Sequence, residues 1–430
     1  MNTANDHPLR YALVNELHAR PSPRLAVPST TVYLAIKEPM NAANRDRSLD
    51  EVHLIDLAKR MGAPKPDMSA GHYTATFGRY DLTWESHTEF VSYTATSPGL
   101  PVRPFDPSAA EIFSEEWQHA APGKRLAAVI VQVDHLPEDP TAILPTINRW
   151  FARDSLTAVW VLDEQAVVAS DFRVDPSGWM RFAVFVKPGV GPGRVGRTVQ
   201  RLLELETYRA MSMLGLGRAR ELTRQLNALD PELNALVQGL ISPDKSPETT
   251  LDQLIGISAK LETMATLHAF RFGATEAYEA IVHDRIAALR ESRFLGRQML
   301  NEFMARRYHP AMRTAKSAER RLVAMLDRTK RAGDLLRTQV DVQRSAQNQE
   351  VMRRMDRRAD LQLRLQHTVE GLSVFAISYY AVGLLGYGLA PLIEKLGLEK
   401  GVVIGLLTPL VLLAVWLSIR QIKRRIHREH

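Results

Sequence analysis

The chain has no cysteine. Disulfide staples and thiolate chemistry are thereby excluded, whichever compartment it occupies. Proline is missing from residues 311–390, so nothing there forces a helix to stop. The first ten residues lack an apolar run, and no cleavable secretory signal is expected. Aromatics make up only 7% of the chain and do not interleave with a basic face, which argues against nucleic acid as a partner. The net charge of +7 has another explanation. Much of the arginine sits on C-terminal helices beside two long apolar runs, where anionic headgroups attract each cation by ~1 kcal/mol.

Those runs are the places where charge is missing altogether: residues 371–393 and 401–419, joined by the short polar turn 394–400. About 20 apolar residues match a hydrocarbon core of ~30 Å, since a helix rises ~1.5 Å per residue. A segment in lipid must satisfy its backbone internally, so each run is read as a helix and the pair as a membrane hairpin. Arg353, Arg354, Arg357, Arg358 and Arg364 precede the first run, and Arg420, Lys423, Arg424, Arg425 and Arg428 follow the second. The turn balances Glu394 and Glu399 against Lys395 and Lys400. Positive charge at both outer ends predicts two spans with both termini cytoplasmic.

The rest of the chain divides by pattern into an α+β whole. Residues 1–190 read as a mixed α/β domain with an antiparallel sheet, 191–310 as a helical domain and 311–366 as a long stalk helix. The membrane hairpin occupies 367–425, with a basic tail to 430. Strands are predicted at 30–37, within the meander 72–96, and at 126–133, 167–174 and 179–187. Helices are predicted at 49–61, 109–119 and 142–151, a tight turn at 175–178 and a loop at 242–247. Pro310 interrupts the later helical pattern. From residue 311 a helix running into the membrane would be roughly 120 Å long. Ala318, Leu322, Met325, Thr329, Ala332, Leu336 and Val340 recur on it at alternating threes and fours, a seam that requires a partner. That partner is either residues 251–308 of the same chain or another copy.

Two clusters could carry chemistry. His7 and Arg10 are followed by Asn15, Glu16, His18 and Arg20. Trp84-Glu85-Ser86-His87-Thr88-Glu89-Phe90 places Glu85, His87 and Glu89 at spacing two, which on a strand would be one face. With His18 they form a reasonable ligand set for a transition metal or for acid–base work. The alternative is ion pairing that fixes the chain terminus against the sheet. Gly191-Pro192-Gly193-Arg194-Val195-Gly196 has glycine spacing suited to a phosphate loop at a helix start, or to a hinge. In the first span, Ser373, Ser378, Tyr379 and Tyr380, with Tyr387 and Gly388 at its end, suit a pore lining or helix–helix contacts.

The N-terminal motif from His7 to Pro21, the segment from Trp84 to Phe90, and Leu363-Arg-Leu-Gln-His-Thr-Val-Glu-Gly-Leu-Ser373 with Ala376-Ile-Ser-Tyr-Tyr380 resemble a bacterial family of uncharacterised membrane-anchored proteins. The resemblance runs over essentially the whole length, implies an inner-membrane location and brings no activity with it. The architecture is also similar to that of CorA-type magnesium transporters. Those end their first span in Tyr-Gly-Met-Asn, where this chain has Tyr387-Gly388-Leu389-Ala390. The first expectation is an oligomeric, membrane-anchored scaffold or sensor acting through its cytoplasmic domain. A CorA-like cation channel and a membrane-tethered metal- or nucleotide-binding enzyme are the alternatives. Bilayer and further copies of the chain are the expected partners, and no cofactor follows from the sequence.

Overall fold

The fold is described from a computed structural model, which covers residues 6–7, 9–16, 22–40, 42–66, 71–239, 246–395 and 399–426. A short helix α1 (Arg10–Glu16) precedes β1 (Ser29–Lys37) and α2 (Arg47–Arg60). The meander expected from alternation follows as β2 (His72–Phe77), β3 (Tyr80–Ser86) and β4 (Phe90–Pro98). Then come α3 (Glu115–His119), β5 (Lys124–His135), α4 (Leu144–Trp150), β6 (Thr157–Val161), β7 (Ala166–Ser170) and β8 (Met180–Val186). Helices α3 and α4 are shorter than expected because each is preceded by a 3-10 turn opening at a proline, Pro107 or Pro140. Strand β6 was not anticipated, and β7 ends four residues before the expected limit.

These strands, with the two-residue β9 (Ser292–Arg293), form one sheet in the order β2-β3-β4-β1-β5-β8-β7-β6-β9. Only β5 and β8 pair in parallel. The interior strand β1 is buried along its whole length, so both faces must be covered. Its alternation assigns them. Val32, Leu34 and Ile36 join a core with Leu54 and Leu57 of α2, Trp117 of α3 and Ile147 of α4. Tyr33 and Ala35 point into a second core, closed by Val195, Val199 and Leu202 of the helix α5 (Pro192–Gly239). The mixed α+β class is thus what the chain adopts.

After α5 the chain is helical: α6 (Pro247–Leu289), α7 (Leu300–Arg307), α8 (His309–Gly388), α9 (Ala390–Lys395) and α10 (Lys400–Ile426). The break at Tyr308 falls two residues before Pro310. Helix α6 runs antiparallel to α5: Arg201 donates to the Ala288 carbonyl at 3.0 Å and Arg285 pairs with Glu204. Helix α8 opens antiparallel to α6, with Lys316 2.8 Å from Glu279, and parallel to α5, with Arg321 3.2 Å from Asp230. The predicted seam is buried in this arrangement, from Ala318, Leu322 and Met325 through Thr329 and Ala332 to Leu336 and Val340. Its partner is the chain itself. A stripe so covered is not open to a second copy.

The chain divides into two compact units, Met1–Lys245 with Asp252–Gly333, and Ser246–Leu251 with Asp334–His430. In the second, residues 341–369 of α8 are exposed on every side. Two helices are long and apolar enough to cross a membrane, and little of their apolar length is buried.

Candidate functional site

The segment from Trp84 to Phe90 is a hairpin tip. Strand β3 ends at Ser86 and β4 begins at Phe90, with the His87 amide donating to the Phe90 carbonyl at 2.9 Å. Strand alternation therefore stops at Ser86, so Glu85, His87 and Glu89 do not lie on one continuous strand as expected, although all three turn to the same side of the sheet. Arg45 holds the tip from one side. Its guanidinium donates to the carbonyls of His87 (2.8 Å), Phe90 (3.1 Å) and Thr88, and pairs with Asp50 at 2.8 Å. Burial raises the Asp50 carboxyl above its ordinary value, against the pull of Arg45.

Glu89 turns inward and is 1% exposed. Arg271 of α6 pairs with it, the Tyr278 hydroxyl donates to it at 3.0 Å, and the Lys37 ammonium lies at 3.5 Å. A buried carboxylate with two cations and a phenol is an internal ion cluster that ties α6 to the sheet. Burial lowers the Lys37 ammonium, while Glu89 opposes that shift. Burial raises the Tyr278 phenol, reinforced by Glu89.

On the same face, a cavity of about 260 Å³ opens between the sheet and α5. Glu85, His87, Gln200, Glu204, Tyr208 and Arg285 line it. The His87 ring stacks on Phe90 with centroids 4.2 Å apart, and Phe90 meets Tyr208 edge-on at 6.1 Å. His87 Nε2 is 3.3 Å from the Ser92 hydroxyl and 3.9 Å from the Glu85 carboxylate. Glu204 is held by Arg285 and accepts from Gln200 at 3.1 Å. At the cavity wall the Tyr33 hydroxyl accepts from Thr207 at 2.8 Å, and burial pushes its phenol well above the ordinary value. Two carboxylates, a guanidinium and an imidazole around one small opening suit hydrogen bonding to a small polar solute. Glu85 beside His87 also forms an acid–base pair.

The other sequence candidates are dispersed. Just before α1, His7 Nδ1 accepts from the Leu9 amide at 3.2 Å, and Arg10 at the start of that helix pairs with Asp6. His18, Arg20 and the side chains of Asn15 and Glu16 lie outside the described residues. Among the described residues no three His, Asp or Glu side chains are grouped to hold a metal ion. The glycine loop opens α5, but Gly196 is covered: a Cβ there would stand 1.9 Å from the Pro23 carbonyl oxygen. The Leu25 amide donates to the Pro192 carbonyl at 3.1 Å in the same crossing. Arg194 donates to the Leu162 carbonyl at 3.2 Å and lies 3.5 Å from Asp163. The chain's own N-terminal segment takes the place expected for a phosphate at Gly196, although Gly191 and Gly193 are not crowded by backbone. Ser373 and Ser378 bond back to the carbonyls of Val369 and Val374, so their hydroxyls are satisfied within α8. Tyr379 meets Tyr380 edge-on, Tyr387 is exposed, and Gly388 is the last residue of α8.

Sequence reasoning missed Arg45, Arg271, Tyr278, Glu204 and Arg285. One signal was available, because Arg271, Tyr278 and Arg285 recur every seven residues as a polar stripe on α6.

The profile of a family described as "Protein of unknown function (DUF3422)" matches residues 5–426. No curated protein matches the chain, and no likeness to CorA-type transporters is shown. With nearly its whole length covered, the chain belongs to the DUF3422 family.

Proposed function

We propose that this protein is a sensor anchored in the inner membrane of a bacterium, with its α/β domain and both termini in the cytoplasm. The observation that carries the reading is unburied apolar surface. The apolar window of α10 has a mean hydropathy of 2.6 and only 6% of it is buried. Leu406, Leu410 and Leu413 are exposed there, as are Phe375, Leu384 and Leu385 near the end of α8. Apolar surface in water costs about 25 cal/mol per Å², and a bilayer removes that cost for both helices at once. Arginine and lysine outside the two runs supply the orientation.

The cavity beside Glu85, His87, Glu204 and Arg285 is the receiving site for a small polar solute in this reading. Its walls include α5 and α6, and those helices pack on the opening turns of α8, whose far end is the first span. Further copies of the chain are the remaining partner. The buried seam leaves residues 341–369 of α8 and the membrane hairpin as the surfaces for that contact.

Because the chain has no cysteine, a single introduced thiol reports topology without background. An impermeant maleimide should label Glu399→Cys in intact spheroplasts, and His430→Cys only after permeabilisation. The opposite pattern would reverse the orientation. Free amino acids, amines and dicarboxylates should then be screened by thermal shift. A shift lost in Glu204→Gln supports the sensor, whereas a screen with no shifts leaves only the anchor.

A further inference from the structure

A second and larger cavity, of about 880 Å³, lies on the other side of the sheet. Its apolar floor includes Phe113 and Trp179, which belong to the core built on α2, α3 and α4. The first two residues of β5, Lys124 and Arg125, form one wall. Among the described residues Arg125 pairs with no carboxylate. The carboxylates nearby do not change that balance much: Glu111 is taken by Arg79 at 2.8 Å, leaving Glu115 as the remaining acid of the lining.

Arg125 is exposed, but its side chain is in contact with two neighbouring groups. Its guanidinium lies over the Trp179 indole, 5.8 Å from the ring centroid. It also lies against the turn before β8, where Gly178 has φ +84 and a Cβ would stand 2.3 Å from Arg125 Nη2. The turn is shaped by the Asp175 carboxylate, which accepts from the amides of Ser177 (2.9 Å) and Trp179 (3.0 Å). A glycine, a capped turn and an indole therefore seat a planar cation at the cavity wall. Preorganised donors lose little freedom on binding, and a guanidinium presents paired N–H groups that match phosphate oxygens. The volume falls within the roughly 300–1,000 Å³ range of small-molecule sites.

We propose that this cavity binds a phosphate-bearing anion of nucleotide size, with its phosphate on Arg125. The phosphate comes either from a soluble metabolite or from a phospholipid headgroup. This site is independent of the smaller cavity and its solute.

The test is calorimetric titration of the detergent-solubilised full chain with inorganic pyrophosphate, with ATP, and with mixed micelles containing phosphatidylglycerol. Binding should weaken at least tenfold in Arg125→Gln, weaken less in Arg125→Lys, and tighten in Glu115→Gln, which removes the opposing charge. Saturation by pyrophosphate or ATP identifies the soluble source. Saturation by the micelles alone, lost in Arg125→Gln, identifies the headgroup. If none of the three probes binds, or if Arg125→Gln binds them as wild type does, the proposal is overturned. Should Arg125→Gln fail to fold, Glu115→Gln decides alone: tighter binding supports the site, and unchanged affinity refutes it.

Discussion

Replacing Glu89 by glutamine tests whether the hairpin tip is fastened to α6 by charge. The side chain is 1% exposed, and it faces Arg271, the Tyr278 hydroxyl at 3.0 Å and the Lys37 ammonium at 3.5 Å. At an effective dielectric near 20, unit charges 3.5 Å apart interact by roughly 5 kcal/mol before desolvation is counted. Glutamine keeps the shape and removes the charge, leaving Arg271 and Lys37 buried without an anion. Breaking a buried pair on one side typically costs ~3–5 kcal/mol. A domain of this size loses about 2–4 °C of melting temperature per kcal/mol, so Glu89→Gln should melt roughly 6–20 °C below wild type. Burial already lowers the Lys37 ammonium and Glu89 sustains it, so in the variant Lys37 sheds its proton more readily. The deficit should therefore shrink as pH rises toward the ordinary lysine range. Exchanging Glu89 and Arg271 together for methionine leaves one buried cation instead of two and should cost less than Glu89→Gln. Thermal melts followed by near-UV circular dichroism read these differences. A Glu89→Gln melt within 1 °C of wild type, or a deficit that grows with pH, would refute the reasoning.

His268 is 1% exposed, neither ring nitrogen has a hydrogen-bond partner among the described residues, and burial, then Arg218, lowers its proton affinity. The unfolded chain then binds the extra proton more readily, so stability is lost as pH falls through 6.5. His268→Leu should flatten the fall in melting temperature between pH 7.5 and 5.5 and add about 1 kcal/mol at pH 7 by removing unpaired polar atoms; an unchanged slope would contradict this. Gly196→Ala decides between helix propensity, which favours alanine by ~1 kcal/mol, and the clash at 1.9 Å with the Pro23 carbonyl. The clash should win, with a net loss of ~1–3 kcal/mol and faster tryptic cleavage at Arg24; equal or greater stability would show that the crossing yields easily.

The sheet was legible because β-branched and aromatic residues alternate where one face is shared, as in β2 to β4, and run together where both are covered, as in β5. Strand β6 escaped notice because five residues, Thr157 to Val161, are too short a run to separate from the loops around them. Glu85, His87 and Glu89 were legible as polar groups inside a strand pattern, but the turn that divides them was not. Their partners on α5 and α6 lie more than a hundred residues away, and only packing brings them together. The heptad spacing of Arg271, Tyr278 and Arg285 marks a face of α6 without saying what the face meets. The seam of α8 shows the same limit. An apolar stripe demands a neighbour, yet the chain's own α5 and α6 satisfy it as well as another copy would.

The central claim, that the end of α8 and α10 anchor the protein in lipid, is tested most directly by membrane partition after an alkaline carbonate wash. The full chain should remain in the membrane pellet. Leu410→Asp with Leu413→Asp places two charges within the α10 run, each costing ~2.5–3.5 kcal/mol at a helix centre, and should shift most of the protein to the supernatant or to aggregates. Wild-type protein released by carbonate as a soluble, folded species would contradict the account.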